Sequence, residues 1–421
     1  MVINGALNNL PYGGLIHLAG NTTFFTYNPI NITGSLSNQP YWIIEGEGRE
    51  VNSTVIQANN PGFDTIIISN AARFTLRDMR INGSTSGRAI YASAGGVAPN
   101  SFIYSQFDNL WVQTPTTVSG TQNGVMYLVN PFQSGFRNIY VAGSPTSWVA
   151  RLENDRTLNY GNNHFQGLCA QNSAYAGAGC HCLSLASTGS STIMNQNTFE
   201  HVQCVPPSSS VGPVGIYLGP GAQHNWFYGF DCEMGTNGIV IECASTSSNP
   251  CFDNHFFGGY GTCITSNCIQ TDANTYGCTF NKLCLGIVGT YSTGNVIADG
   301  NSYTSAIPNV YEDIIMIGGG GSAPAINGTT RPIFRGIGGI GAGRYFENYG
   351  TSTQSGNGSK TAFTITHNLV GKPFYANATN AIAGLPAISS IVPGATALTV
   401  NYASAPASGT NNVVLNWYAR F

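Results

Sequence analysis

The sequence predicts an all-β chain: a right-handed parallel β-helix over residues 1–317, a Gly-rich neck over 318–348 and a small β-sandwich over 349–421. Three observations carry that expectation. The chain keeps returning to Asn-x-Phe, as NHFQGLC from Asn163, NTFEHVQC from Asn197, NWFYGFDC from Asn225 and NHFFGGYG from Asn254. It holds no amphipathic stretch of 3.6-residue period longer than about three turns. Near Gly318 it changes character, first to glycine runs and then to alternating strands with Pro, Gly and Asn turns.

The shaft follows from the repeat. Written as Φ-x-x-Φ-x-Φ, the pattern reads Leu76/Met79/Ile81, Phe107/Leu110/Val112, Phe136/Ile139/Val141 and Phe165/Leu168/Ala170. It continues as Phe199/Val202/Cys204, Phe227/Phe230/Cys232, a degenerate Phe256/Gly259/Gly261, and Phe280/Leu283/Leu285. Successive copies lie 24 to 34 residues apart. Units this short and this rich in Gly, Asn and β-branched residues do not suit helical repeats, and propeller blades are longer, at about 40–50 residues. They fit coils of three short strands stacked about 4.8 Å apart, with the Φ positions inward. The residue before the second Φ is often Asn or Gly (Asn109, Asn138, Gly167, Gly229, Gly258), as a bend requires. Asn163, Asn197, Asn225 and Asn254 then stack as an amide ladder, so the motif reads as scaffold rather than catalyst.

The neck rests on GGGGSAPAINGTTRP and GIGGIGAG. The latter fits GxGxxG, but no βαβ unit surrounds it, which excludes a dinucleotide site. The sandwich rests on the alternation at Phe363–Ile365, at Leu398, Val400 and Tyr402, and at Val414, Leu415 and Trp417.

Composition narrows function. Charged residues make up 8% of the 421 and the net charge is −3, with no basic stripe for nucleic acid. No apolar run is long enough to insert in a membrane, and the N-terminus carries no visible secretory signal. The 11 cysteines fit an oxidising setting or a hot habitat, and their odd number leaves one free or paired between chains. Cys180-His181-Cys182 matches no zinc spacing, so neither metal nor cofactor is expected. Asn21, Asn31, Asn52, Asn82, Asn327, Asn357 and Asn377 open N-glycosylation sequons.

YGGLIHLAGNTTFFTYNPINI followed by WIIEGEGREVNSTVIQ resembles the opening coils of pectin-lyase-like β-helices, a likeness covering about Asn4 to Ile317. The C-terminal FTI-x-H-x-L-x-x-x-P, Phe363 to Pro373, with a final strand at Trp417 to Ala419, resembles β-domains of phage and archaeal-virus tail fibres and spikes. Together these resemblances imply a virion surface attachment protein, extracellular on the particle. They imply a homotrimer that touches other virion proteins and binds a host surface glycan or glycoprotein, from a virus of a thermophilic archaeon. The alternatives are a depolymerising tailspike (polysaccharide lyase or glycoside hydrolase) and a cellular adhesin or envelope component.

The residues favour binding over catalysis. With 18 acids in the chain, the best local carboxyl pair is Asp231 and Glu233, two apart on one strand face. The column of Asp231 offers Gln203 and Tyr260, neither an acid, and the Asp-Asp and Arg-x-Lys signatures of polygalacturonase-like enzymes are absent. Arg151, Glu153, Asp155 and Arg156 read as a loop of salt bridges. Outward aromatics say more: Trp111, Tyr140 and Tyr260 fall in one column, Tyr228 and Phe257 in another, with Trp226 beside them. Rings among amides and hydroxyls make either a sugar-binding face or a subunit interface. Cys204 falls directly under Cys232.

Overall fold

The structure is a computed structural model. It describes residues 2–10, 12–33, 41–50, 52–93, 101–114, 124–143, 148–155, 160–172, 181–188, 192–205, 214–234, 238–263, 267–287, 296–302, 307–317, 325–330, 332–335, 337–340, 347–369 and 372–420. Among these the chain winds as a parallel β-helix followed by a β-sandwich. A 16-stranded sheet (the long ladder) and an 11-stranded sheet (the second ladder) run the length of the winding, and short ladders of three and five strands close the coil between them.

In-register pairing brings like residues over like. Phe165 pairs with Phe199, Phe199 with Phe227, Phe227 with Phe256 and Phe256 with Phe280. Their rings stack face to face inside the coil, at centroid separations between 4.1 and 5.2 Å from Phe107 up to Phe334. That is close to the rise from one coil to the next, about 4.8 Å, so flat rings fill the column without gaps. Each fully buried Phe contributes roughly 1.5–3 kcal/mol. The series does not stop at Phe280: Tyr311 and Phe334 continue it. Ile16 and Ile44 begin it below Leu76. The helix Val2–Asn9, not foreseen in the sequence, inserts Ile3 and Leu7 into the same core beside the first coil.

The coil bends where one residue is left-handed. Asp78, Asn109, Asn138, Gly167, His201, Gly229, Gly258, Lys282 and Asp313 have φ between 50° and 72°. A second bend places Asn162, Gln196, His224 and Asp253 in the same region, each immediately before a ladder asparagine. A non-glycine residue held there costs roughly 1–2 kcal/mol, which the ladder bonds on either side offset.

The asparagine ladder forms as expected. Asn163 Nδ2 donates to Asn197 Oδ1 at 2.9 Å, Asn197 Nδ2 to Asn225 Oδ1 at 2.8 Å, and Asn225 Nδ2 to Asn254 Oδ1 at 2.9 Å. The same oxygens accept backbone N–H groups of the coil below, as Asn225 Oδ1 does from Asn197 N at 3.1 Å. Serines extend the device downward, Ser105 N donating to Ser134 Oγ and Ser134 N to Asn163 Oδ1. Asn309 extends it upward, accepting from Cys278 N. All four asparagines are buried, so each amide must be satisfied inside the coil.

The sandwich has its own core of Phe363, Ile365, Leu398, Val400, Val413 and Leu415, separate from the β-helix cluster. Two three-stranded antiparallel sheets face across it, one of 347–356, 409–420 and 375–380, the other of 362–366, 397–402 and 388–393. His367 is fully buried. Leu369 N–H donates to its Nδ1 at 3.0 Å and its Nε2 lies 3.1 Å from Gly394 O, which fits the Nε2–H tautomer. That explains the histidine of the FTI-x-H-x-L stretch as a turn lock.

The expected neck differs in part. Residues 318–324 and 341–346 lie outside the described residues, but Ala325–Ile326, Ile333–Arg335 and Gly338–Ile340 pair in parallel with preceding strands. The winding therefore extends past Ile317. The physical reason is that Phe334 fits the ring column, and glycine is tolerated where the next coil supplies the hydrogen bonds.

Two stability outcomes follow. Asn225→Ala strands the Asn197 amide and the carbonyls of Met194 and Gln223 that Asn225 Nδ2 serves. It should cost roughly 3–5 kcal/mol in urea titration, against under about 0.5 for Glu233→Gln; an unchanged midpoint would contradict the ladder's role. Lys282→Gly relieves an exposed left-handed residue. It should stabilise by about 0.5–1 kcal/mol, and a loss of stability would contradict the bend geometry.

Candidate functional site

The outward faces of the long ladder are columns, and each can be read coil by coil. One column runs Glu45, Arg77, Asp108, Arg137, Gln166, Glu200, Tyr228, Phe257, Asn281 and Glu312. Its lower rungs are ion pairs: Arg77 with Glu45, and Arg137 with Asp108. Its upper rungs are an amide–carboxylate pair, Asn281 Nδ2 donating to Glu312 Oε2 at 2.9 Å, and an ion pair of Glu312 with Arg335 above it. Between them, two consecutive coils carry rings instead. The neighbouring column behaves the same way, running His164, Thr198, Trp226, His255 and Thr279.

Trp226 and Tyr228 therefore stand on one coil, with His255 and Phe257 directly over them. Trp226 stacks on His255 at 6.0 Å and 12°, Tyr228 on Phe257 at 5.5 Å and 14°, and His255 lies 6.0 Å from Phe257. The result is a two-by-two aromatic platform. Tyr228 keeps 43% of its surface exposed; Trp226, His255 and Phe257 are half-buried. Across the left-handed bend at Gly229 and Gly258, Tyr260 stands over Asp231 with 37% exposed. Desolvation, and then the Glu233 carboxylate, hold the Tyr260 phenol above its ordinary value.

The platform turns the corner onto the short ladder. Asp253 bridges two imidazoles, its Oδ2 2.6 Å from His224 Nδ1 and its Oδ1 3.0 Å from His255 Nε2. Phe252 meets His224 edge-on at 4.9 Å and stacks on Tyr276 at 5.2 Å. Polar groups border the rings: Glu200 lies under Tyr228, 3.1 Å from His164 Nε2, with Asn281 above Phe257. Sequence reasoning selected Trp226, Tyr228, Phe257 and Tyr260. It did not select His255, and it missed Phe252 and Tyr276, whose spacing one coil apart was the available signal.

Trp111 and Tyr140 share the column of Tyr260, as expected, but Cys169, Gln203 and Asp231 separate them from it. They form a packed cluster rather than an open face. The Arg80 guanidinium lies 4.7 Å over the Trp111 ring, Tyr140 packs edge-on at 4.8 Å, and the Tyr140 hydroxyl donates to Gln171. Asp231 and Glu233 lie on one strand, as expected. Asp231 Oδ1 is buried without a hydrogen-bond partner, while Glu233 is exposed.

A second group of rings lies on the second ladder. Arg151 and Glu153, expected in a loop, stand on the strand Trp148–Asn154 and pair there; Asp155 follows it, and Arg156 lies outside the described residues. The Φ-x-Φ alternation of that strand forces this placement. Arg88 lies 3.5 Å over Tyr91 and Arg151 lies 3.9 Å over Trp148, with Tyr127 between them. His181 stacks on Tyr217 at 4.0 Å. Burial, and then Glu242, push the Tyr217 phenol up to about 12.

The sequons Asn21, Asn31, Asn52, Asn327, Asn357 and Asn377 are exposed, whereas Asn82 is half-buried and donates to Gln57 Oε1. Among the described residues no group of three or more His, Cys, Asp or Glu is placed to hold a metal ion, and no helix is long and apolar enough to cross a membrane. Cys180 lies outside the described residues.

No known family matches the chain, and no curated protein does. Among solved structures it is similar to the tailspike gp61 of Pseudomonas phage phi297, with a TM-score of 0.44 and 9% identity over 99% of this chain and 91% of that one. It is similar to the A-module of the Azotobacter vinelandii mannuronan C-5 epimerase AlgE6, with a TM-score of 0.47 and 11% identity over 80% and 94%. It is also similar to the Dettilon tailspike protein gp208, with a TM-score of 0.44 and 11% identity over 100% and 90%.

The His181 imidazole, between Tyr217 and the Arg151 side, is pushed down to about 4 by burial and then by Arg151. The unfolded chain takes a proton near pH 6.5 that the folded chain refuses. Its contribution is therefore complete above pH 6.5 and is lost as pH falls through the window to about 4, roughly 3 kcal/mol in all. His181→Gln should flatten the fall in stability measured between pH 7 and 4.5; an unchanged slope would contradict this environment.

Proposed function

We propose that this chain is a virion surface attachment protein of the tail-fibre or spike kind, whose Trp226/Tyr228/His255/Phe257 platform binds a glycan of the host cell surface. The parallel β-helix is the shaft, held in a homotrimer alongside other virion proteins, and the host is a thermophilic archaeon. One observation carries the binding reading. At the same outward position, other coils place Arg77, Asp108, Arg137, Gln166, Glu200 and Asn281, so packing does not demand rings there. Rings held in that position by neither core nor ladder are suited to stacking on sugar C–H faces, while Glu200 and Asn281 bond hydroxyls at either edge. The host assignment rests on a low charge content and cysteine-rich coils, and the trimer on the sequence resemblance.

A second reading, a depolymerising spike, is favoured by one feature. Asp231, with its unpartnered buried oxygen, stands under Tyr260 and beside the platform, and Glu233 follows two residues on.

Binding to host envelope polysaccharide by calorimetry tests the first reading. Tyr228→Ala and Trp226→Ala should each weaken it about three- to tenfold, since an aromatic stack is worth about 0.5–1.5 kcal/mol. Trp111→Ala should change it less than about twofold. Equal affinity in all three variants would remove the platform from the site. Shortening of the polysaccharide by the wild type, lost in Asp231→Asn, would replace attachment by cleavage.

A further inference from the structure

The cysteines cluster inside the coil. Cys263 ends the long-ladder strand His255–Cys263, and Cys268 precedes the second-ladder strand Ile269–Thr271. Both are fully buried. Their Sγ atoms stand 2.7 Å apart, nearer than two non-bonded sulfurs pack, and Cys268 Sγ also lies 3.3 Å from Gly286 O. Other buried thiols also meet one another, Cys204 with Cys182 and Cys232, and Cys243 with Cys251 and Cys278, but each also has other partners nearby: Cys204 Sγ lies 3.4 Å from Gly215 O, and Cys251 Sγ accepts from Asn254 Nδ2 at 3.3 Å. Although Cys204 pairs in register with Cys232, stacked parallel strands hold such side chains in a poor arrangement for bonding. Cys263 and Cys268 instead approach each other between two different sheets, so no strand register opposes them.

We propose that Cys263 and Cys268 form an intrachain disulfide that fixes the strand carrying His255, Phe257 and Tyr260 to the second ladder. The oxidant is a small-molecule disulfide such as oxidised glutathione. The two thiols lose their protons and two electrons as one S–S bond forms, and the oxidant's S–S bond is reduced to two thiols. The neighbouring Cys263 thiol and burial both raise the Cys268 thiol well above its ordinary range. Since thiolate is the reacting form, the bond forms during folding, before the two sulfurs are buried. Once buried, it resists reductants that cannot enter the coil.

Chymotryptic mapping tests this directly. Cleavage after Tyr260 and Tyr276 releases residues 261–276, which hold Cys263 and Cys268 and no other cysteine. The full chain, refolded with oxidised glutathione, is alkylated with iodoacetamide in denaturant before digestion. The peptide should carry no alkyl group and be lighter than its dithiol form by two hydrogens, taking up two groups only after reduction. In Cys263→Ser, Cys268 should become alkylated without reduction. Two alkyl groups on the unreduced wild-type peptide, or its linkage to another cysteine peptide, would overturn the proposal. Neither of those readings depends on the variant folding, nor on what the platform binds.

Discussion

Everything in the winding depends on one constraint: each coil must hydrogen-bond to the next in register, about 4.8 Å away. That spacing selects what stands inside. Flat rings stack at it, and carboxamides reach across it as both donor and acceptor. Phe199 and Asn197, two residues apart, therefore solve adjacent problems: the ring fills the column and the amide satisfies a buried bend. The bends themselves are left-handed, and residues as different as His201, Lys282 and Asp313 accept that conformation because ladders on both sides hold them there.

The same constraint explains why the outer surface is informative. Inward positions must keep the column full, and the asparagine positions must keep their bonds. Outward positions face neither requirement, so charges, amides and rings replace one another from coil to coil. A run of rings confined to two or three successive coils is then a local departure that the scaffold does not account for. The Asp253 carboxylate, shared by His224 and His255, ties the two sides of that departure together around the corner.

Much of this was legible in the sequence. The phenylalanine repeat and Asn-x-Phe placed the coil, the inward face and the amide ladder, because register forces rings inward and amides into the bend on coil after coil. The first coils fall outside the Φ-x-x-Φ-x-Φ series, and only their resemblance marked them, because the long strand is there divided, Gly13–His17 from Thr22–Thr26 and Tyr41–Glu45 from Thr54–Ala58. Tyr311 and Phe334 escaped because glycine runs near them read as a neck. The column Tyr91, Tyr127, Arg151, Ser184 and Tyr217 was hidden in strands too short to show more than Φ-x-Φ. For Trp111, register gave the direction of the side chain but not what covers it, which is Arg80 from the coil below.

The central claim is that a rigid column of coils presents one aromatic platform to a sugar chain. The most direct measurement is a crystal structure of the protein with an oligosaccharide fragment of its host's envelope polysaccharide. This account expects intact sugar rings lying flat on Tyr228 and Trp226, with hydroxyls reaching Glu200 or Asn281. Sugar bound only at the Tyr127–Trp148 face or on the sandwich, with the platform bare, would contradict it.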